Sequence, residues 1–515
     1  MKLKALTSAI VLATLPMTGV FAAAMDRSGQ SIGAFLQPGN YFEAGISVLD
    51  PSVKGKEAGD YQELGRKIPD MADDYYFPSA ALKFQVTNNF SFGILYDQPF
   101  GAAAEYTGNN IFVSDDTNTI LAPATLAALG QQRIQTEVAN NLPAALDANL
   151  QAGIDGVVAQ QVQAQLTANG LPQAAAPQVE AAIRANEAAM GQIEAGVTQA
   201  ITNQVTDVVT QQVTAGLDAV NGSLGKGQTK VEVDTQNLTF LFGFQPNENW
   251  NVYAGPVYQT VKGKLSLRGQ AYSLYNGYDA DIKETGELGW IAGFAYQIPE
   301  IALKASLTYR SKVEHDVYAK ETLSAAAGLG LVGIDPSSIL NASGQTEITT
   351  PQSVNLDFQT GIMANTVAFA NVRWVEWSDF SIQPYKFGLV SEAVGGLIGR
   401  PDGFNLVEYD KDQWSVTAGV GRKFTEQWAG NVSVGWDSGA GNPVSTLGPT
   451  EGYWNLGLGL QFSPTPATFI GGGVKYFWLG DAKAQTGAQA GGSDYVANFE
   501  DNDAWGFGLK MGYRF

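Results

Sequence analysis

The chain has 515 residues, only 16% of them charged, and its 50 Asp and Glu outweigh 30 Lys and Arg for a net charge of −20. That balance excludes a nucleic-acid partner, which needs a basic surface. The absence of cysteine excludes disulfides and thiolate metal sites, and the single histidine, His315, reads as a solvated loop residue rather than part of a metal cluster.

The chain begins like an exported protein. Lys2 and Lys4 precede an apolar run from Ala5 to Val20, and Ala22-Ala23-Ala24 offers a cleavage site, so residues 1–24 are expected to be a signal peptide. No later apolar stretch is long enough to cross a bilayer as a helix. Residues 25–39 are short, polar and turn-rich.

From Asn40 onward the pattern has a period of two. Fourteen strand candidates follow, at about 40–53, 74–87, 90–106, 229–244, 249–268, 283–298, 301–318, 351–364, 366–383, 411–424, 427–438, 451–463, 467–479 and 500–515. Tight turns such as Asn88-Asn89, Pro299-Glu300, Ala364-Asn365 and Thr425-Glu426 alternate with long loops. An even strand count with short–long alternation is the plan of an outer-membrane barrel.

The third strand carries a defect. Phe90, Phe92, Ile94 and Tyr96 form its apolar face, and then Asp97-Gln98-Pro99-Phe100-Gly101 interrupts it. Pro99 cannot donate to a ladder, and Gly101 suits a bulge. Either the ladder opens there, leaving a side exit for an apolar solute, or the strand has already left the membrane at Pro99.

The segment 114–227 differs from its surroundings: between Ser114 and Lys226 it has no aromatic residue and is rich in Ala, Gln, Val and Asn. Ile183, Met190, Ile193, Val197, Ile201, Val205, Val208 and Leu217 recur mostly at helical spacing, which predicts one long helix over about 178–221. Pro143, Pro172 and Pro177 are expected to break the earlier half into shorter helices. Sitting on a long-loop side, the insertion is expected outside the cell, as a hairpin packed on itself, a coiled-coil contact for a partner, or a disordered stretch.

The remaining strands repeat one face pattern. Trp454, Leu456, Leu458, Leu460 and Phe462 oppose Asn455, Gly457, Gly459 and Gln461. At the end, Trp505, Phe507, Leu509, Met511, Tyr513 and Phe515 oppose Ala504, Gly506, Gly508, Lys510, Gly512 and Arg514. Apolar rows ending in Trp or Tyr suit a lipid-facing surface with aromatic girdles.

The run Pro351-Gln352-Ser353 … Phe369-Ala370-Asn371-Val372-Arg373-Trp374-Val375-Glu376-Trp377-Ser378-Asp379-Phe380 resembles the bacterial long-chain fatty-acid transporter family (FadL/TodX). So do Leu307-Thr308-Tyr309-Arg310-Ser311-Lys312-Val313, Phe42-Glu43-Ala44-Gly45 with Asp50-Pro51-Ser52-Val53, Trp436-Asp437-Ser438 and the Tyr-Arg-Phe end. The resemblance implies a fourteen-stranded barrel plugged by an N-terminal hatch, ligand sites near the outer loops and near the mature N-terminus, and lateral release beside a kinked third strand. It departs from the family in having only a short segment before the first strand, without an Asn-Pro-Ala run, and in its helical insertion.

The expected fold is therefore an all-β transmembrane barrel of 14 antiparallel strands with a short N-terminal plug and a large extracellular α-helical insertion. Its parts are a signal peptide (1–24), a plug or hatch (25–39), strands 1–3 (40–113), the insertion (114–227) and strands 4–14 (228–515). The expected function is passive uptake of a hydrophobic or amphipathic solute, a long-chain fatty acid or an aromatic hydrocarbon, across the outer membrane. Lys304, Arg310, Phe369, Arg373 and Trp377 should face inward as ligand groups, with Phe35 and Leu36 lining an inner site from the plug and Asp97, Pro99 and Gly101 forming the lateral gate. An inward cation has an alternative role in salt bridges with Asp357 or Asp437. Expected partners are the hydrophobic ligand, the lipid bilayer or detergent, and the outer-membrane insertion machinery. No enzyme activity, cofactor or metal is expected. The rival functions are a general porin for polar solutes and a surface adhesin using the insertion. Substrate identity and oligomeric state stay open.

Overall fold

The structure is a computed structural model that describes residues 25–114, 123–223, 226–324, 326, 329, 335–396 and 399–515. The expected signal peptide lies outside the described residues, as do residues 115–122 and 224–225 of the expected insertion.

Fourteen antiparallel strands close on themselves. They are β1 (Tyr41–Ser52), β2 (Tyr75–Gln85), β3 in two limbs (Phe90–Asp97 and Gly101–Glu105), β4 (Lys230–Phe244), β5 (Trp250–Leu267), β6 (Tyr278–Ile298), β7 (Leu303–Arg310) and β8 (Ser353–Met363). The circuit continues through β9 (Thr366–Val375), β10 (Gln413–Lys423), β11 (Trp428–Asp437), β12 (Tyr453–Thr465), β13 (Thr468–Leu479) and β14 (Asp503–Arg514). β14 returns to β1 from Tyr41↔Arg514 to Ser52↔Asp503, which leaves no free edge there. Closure matters because an unpaired backbone edge is intolerable in hydrocarbon.

The faces sort as the period of two requires. On β14, Phe507, Leu509, Met511, Tyr513 and Phe515 are exposed on the outside, whereas Lys510 is buried and ion-paired with Glu43. On β12, Trp454 and Leu458 are outside and Asn455 and Gln461 are buried inside.

Two strands end sooner than their sequence pattern suggests. β7 stops at Arg310, and the continuation Val313–Val317 leaves the wall to pair with Thr346–Thr350. That small hairpin buries His315 completely, with its Nε2 3.1 Å from Gln259 Oε1 of β5, so the histidine is not a solvated loop residue. The apolar alternation at Val313 and Val317 belongs to an inward-packing hairpin rather than to membrane wall. β9 ends at Val375, and Trp377–Asp379 form a 3-10 turn with Trp377 fully buried.

The helical segment is a separate compact unit. It contains α1 (Pro123–Ala168), α2 (Ala176–Ala185) and α3 (Glu187–Ser223). The expected single helix over 178–221 is broken at Asn186, whose ψ of 94° is extended and whose Oδ1 accepts the N–H of Ala189. A side chain that caps the next helix competes with continuation of the last one. Conversely, Pro143 does not break α1. Its exposed ring costs one helical hydrogen bond, but Leu142, Leu146 and Leu150 around it pack onto the cluster formed by Val158, Val162, Ile193 and Val197. Tertiary packing overrides the local penalty.

Inside the barrel, residues 25–39 lie against the inner wall. Ile32, Ala34, Phe35 and Leu36 are buried with Leu95, Leu241, Tyr253, Ile291 and Phe469 in one apolar cluster.

Candidate functional site

The third strand is interrupted. From Asp97↔Asn237 to Gly101↔Asp234 β3 advances four residues (101 − 97) while β4 advances three (237 − 234). One residue is therefore extra, which is a bulge. Thr235 holds it from the β4 side, donating from its N–H to the carbonyl of Phe100 and accepting the N–H of Phe100 at its Oγ1.

The other side of the defect is open. β2 pairs with β3 only from Ala80↔Tyr96 to Gln85↔Ser91. Among the described residues no ladder joins Tyr75–Ser79 of β2 to the second limb of β3. The link there is thin: an isolated bridge between Ala72 and Ala104, the Glu105 N–H to the Met71 carbonyl, and contacts of the Tyr75 hydroxyl with Ala103. The wall thus has a breach between β2 and β3.

The N-terminal segment crosses this breach from within. Arg27 N–H donates to the Pro99 carbonyl at 2.7 Å, and Gly101 N–H donates to the Met25 carbonyl at 2.9 Å. Ser28 Oγ donates to Asp97 Oδ2 at 2.6 Å. Asp97, Pro99 and Gly101 are thereby brought together, and the backbone groups freed by the kink are satisfied by the first residues described. Gly101 also makes room: a Cβ there would stand 2.8 Å from an Arg27 guanidinium nitrogen.

Four inward cations, Arg373, Arg310, Lys304 and Lys83, are committed to the same segment. Arg373 grips Asp26 through Nε at 2.7 Å and Nη2 at 3.1 Å and also bonds Asn355 and Gln30. Arg310 donates to the Gln30 carbonyl, Lys304 to the Leu36 carbonyl, Lys83 to the Gln37 carbonyl and Asn355 to the Gly29 carbonyl. Arg373 is ion-paired with Asp26, and with neither Asp357 nor Asp437. Phe35 meets Tyr253 edge-on, and Leu36 is buried beside it. Phe369 faces inward across Gly419. Trp377 donates to Gln413 and packs its ring edge-on to Phe100 of the kink, Phe380 and Tyr409.

A small apolar cavity of about 70 Å³ lies beside the kink, with Gly101 and Ala102 of the second limb of β3 in its lining. Val231 and Val233 of β4, Leu265 of β5 and Ile282 of β6 form one wall, and the loop residues Ile382, Leu406, Val407 and Leu447 form the other. Asp26, Arg27 and Lys264 are its charged lining. None of these was singled out from sequence. The strand members could have been found from inward positions that are apolar where a water-filled pore would be polar; the loop members have no periodicity to read.

The comparisons bear on the family and the fold. Residues 101–515 match the family model described as outer membrane protein transport protein (OMPP1/FadL/TodX). The chain is 20% identical over 317 residues to the long-chain fatty acid transport protein of Escherichia coli, covering 56% of this chain and 68% of that one. Its fold is similar to the crystal structure of a Pseudomonas aeruginosa FadL homologue, with a TM-score of 0.57 and 13% identity over 96% of this chain and 95% of that one. It is also similar to the toluene transporter TodX of Pseudomonas putida, with a TM-score of 0.50 and 10% identity over 98% and 99% of the two chains. A barrel whose outward rows are apolar, whose wall is broken at the third strand and four-fifths of whose length fits one family model belongs to the OMPP1/FadL/TodX outer membrane protein transport family, the outer-membrane channels for hydrophobic compounds.

Proposed function

We propose that the protein takes up long-chain fatty acids or similar amphipathic solutes and releases them sideways through the breach between β2 and β3. The observation that carries this reading is an interrupted ladder together with an apolar cavity lined by Gly101 and Ala102 of the interrupted strand and by Arg27 of the segment that crosses it. An alkyl tail moved through water costs about 0.8 kcal/mol per CH₂. A route from apolar cavity to bilayer through the wall avoids that cost, whereas an axial pore does not. The N-terminal segment, residues 25–39, acts as the hatch in this reading, since its bonds to Pro99 and Gly101 lie across the exit. No energy source is needed, and movement runs downhill.

The test is Pro99→Val, which supplies the missing N–H and favours continuous pairing of β2 with β3. Oleate uptake into proteoliposomes is expected to fall severalfold with the barrel still folded. Unchanged uptake sinks the lateral route. A polar pore, the rival reading, predicts steady conductance in planar bilayers; the segment bonded across the lumen predicts near silence.

A further inference from the structure

Arg27 stands apart from the other inward cations. Arg373 holds a carboxylate, and Arg310 and Lys304 hold backbone carbonyls. No carboxylate among the described residues lies within ion-pair distance of Arg27; its side chain hydrogen-bonds Tyr75, and Asp234 of β4 attracts it from farther off. Its neighbour Asp26 is turned away to Arg373. The Arg27 guanidinium instead lies 3.7 Å from the centroid of the Tyr75 ring and 5.8 Å from that of Phe77, both on β2 at the edge of the breach. It lines the apolar cavity, and its guanidinium lies beside Gly101, where a Cβ would stand 2.8 Å from its nitrogen. Lys264 lines the same cavity.

We propose that Arg27 is the specificity-determining residue of the channel, binding the carboxylate of an anionic amphiphile at the breach and so selecting it over an uncharged hydrocarbon of equal length. The proposal rests on the uptake reading above. A guanidinium beside apolar walls has lost much of its hydration, and stacking on Tyr75 offsets only part of that loss. An arriving carboxylate meets the planar donor fork in two-point geometry and restores what hydration supplied. A neutral hydrocarbon gains the same apolar burial and adds nothing for the cation beyond its contacts with Tyr75. The head is thus held where the tail meets the opening.

The test is uptake of palmitate and of 1-hexadecanol, two probes of one tail and different charge, by the full chain in proteoliposomes. The readout is the ratio of their half-saturating concentrations. Arg27→Met keeps the length of the side chain and removes its charge. It is expected to lower the preference for palmitate about tenfold or more, the size of a lost charge-assisted hydrogen bond. Arg27→Lys is expected to restore part of it. An unchanged ratio in Arg27→Met, including one in which both probes weaken together, overturns the proposal while leaving the uptake reading standing. If the wild-type protein carries neither probe, the uptake reading and this proposal fall together.

Discussion

Asp26 and Arg373 meet at two points inside the barrel although 347 residues separate them in sequence. Both are almost fully buried, so the pair is a fixed anchor for the N-terminal segment rather than a surface contact. Removing one partner strands the other charge in a poorly hydrated site, which costs about 3–5 kcal/mol.

The first prediction follows from that asymmetry. Asp26→Asn should free residues 25–37 from the wall without opening the barrel. The chain has no cysteine, so a single Ala34→Cys reports directly: Ala34 is buried in the native arrangement. Maleimide labelling at that position should accelerate about tenfold or more in Asp26→Asn. The charge exchange Asp26→Arg with Arg373→Asp should slow it again.

Phe35 is held by an absence. A Cβ on Gly93 of β3 would fall 2.5 Å from a carbon of the Phe35 ring. Gly93→Ala should therefore push Phe35 out of its cluster and raise labelling of Ala34→Cys. Adding Phe35→Leu, which shortens the side chain, should reverse the effect. Resistance to unfolding in detergent gels should stay at the wild-type level throughout, because the β2–β3 register around Gly93 is backbone-made.

Glu451, in the loop between β11 and β12, predicts a pH response. Burial pushes its carboxyl up to about 7 from an ordinary 4.5, against the opposing pull of the Gly441 N–H and Lys411. The folded loop holds this proton more tightly than the unfolded chain does. Its stabilising effect is complete below about 4.5 and is lost as pH rises through about 7. Protection of residues 438–452, the observed exchange rate set against the intrinsic rate at each pH, should fall between pH 5 and 7.5, roughly the window of the shift, and Glu451→Gln should flatten that fall.

The helical unit should fail independently of the barrel. Val158 of α1 is fully buried among Val162, Ile193 and Val197. Val158→Asp introduces an unpaired polar group there, at a cost of at least about 2 kcal/mol. Far-ultraviolet circular dichroism should lose helix signal while the barrel keeps its detergent-gel mobility. Persistence of the full helix signal contradicts the packing described for α1 and α3.

The barrel was legible because a period of two assigns every strand residue to lipid or lumen without any knowledge of its neighbours. Lys304, Arg310 and Arg373 could be placed inward on that basis. What they hold could not be read, since alternation gives a direction and Asp26, Gln30 and Leu36 arrive from the far end of the chain. The kink at Pro99 was visible as a missing donor, but its repair by Met25 and Arg27 was not, because backbone pairing carries no side-chain signature. The helices misled in both directions: Pro143 looked like a stop and is not, and Asn186 looked innocuous and caps α3. Local chemistry sets the penalty at such positions, and distant packing decides whether it is met.

The anchors of the N-terminal segment come from Lys83 on β2, Lys304 and Arg310 on β7, Ser353 and Asn355 on β8 and Arg373 on β9. These strands are assembled into one cavity only after the sheet has zipped shut around its circumference. The N-terminal segment therefore has its full set of bonds only once the circuit is closed, and that seat is complete no earlier than the barrel itself.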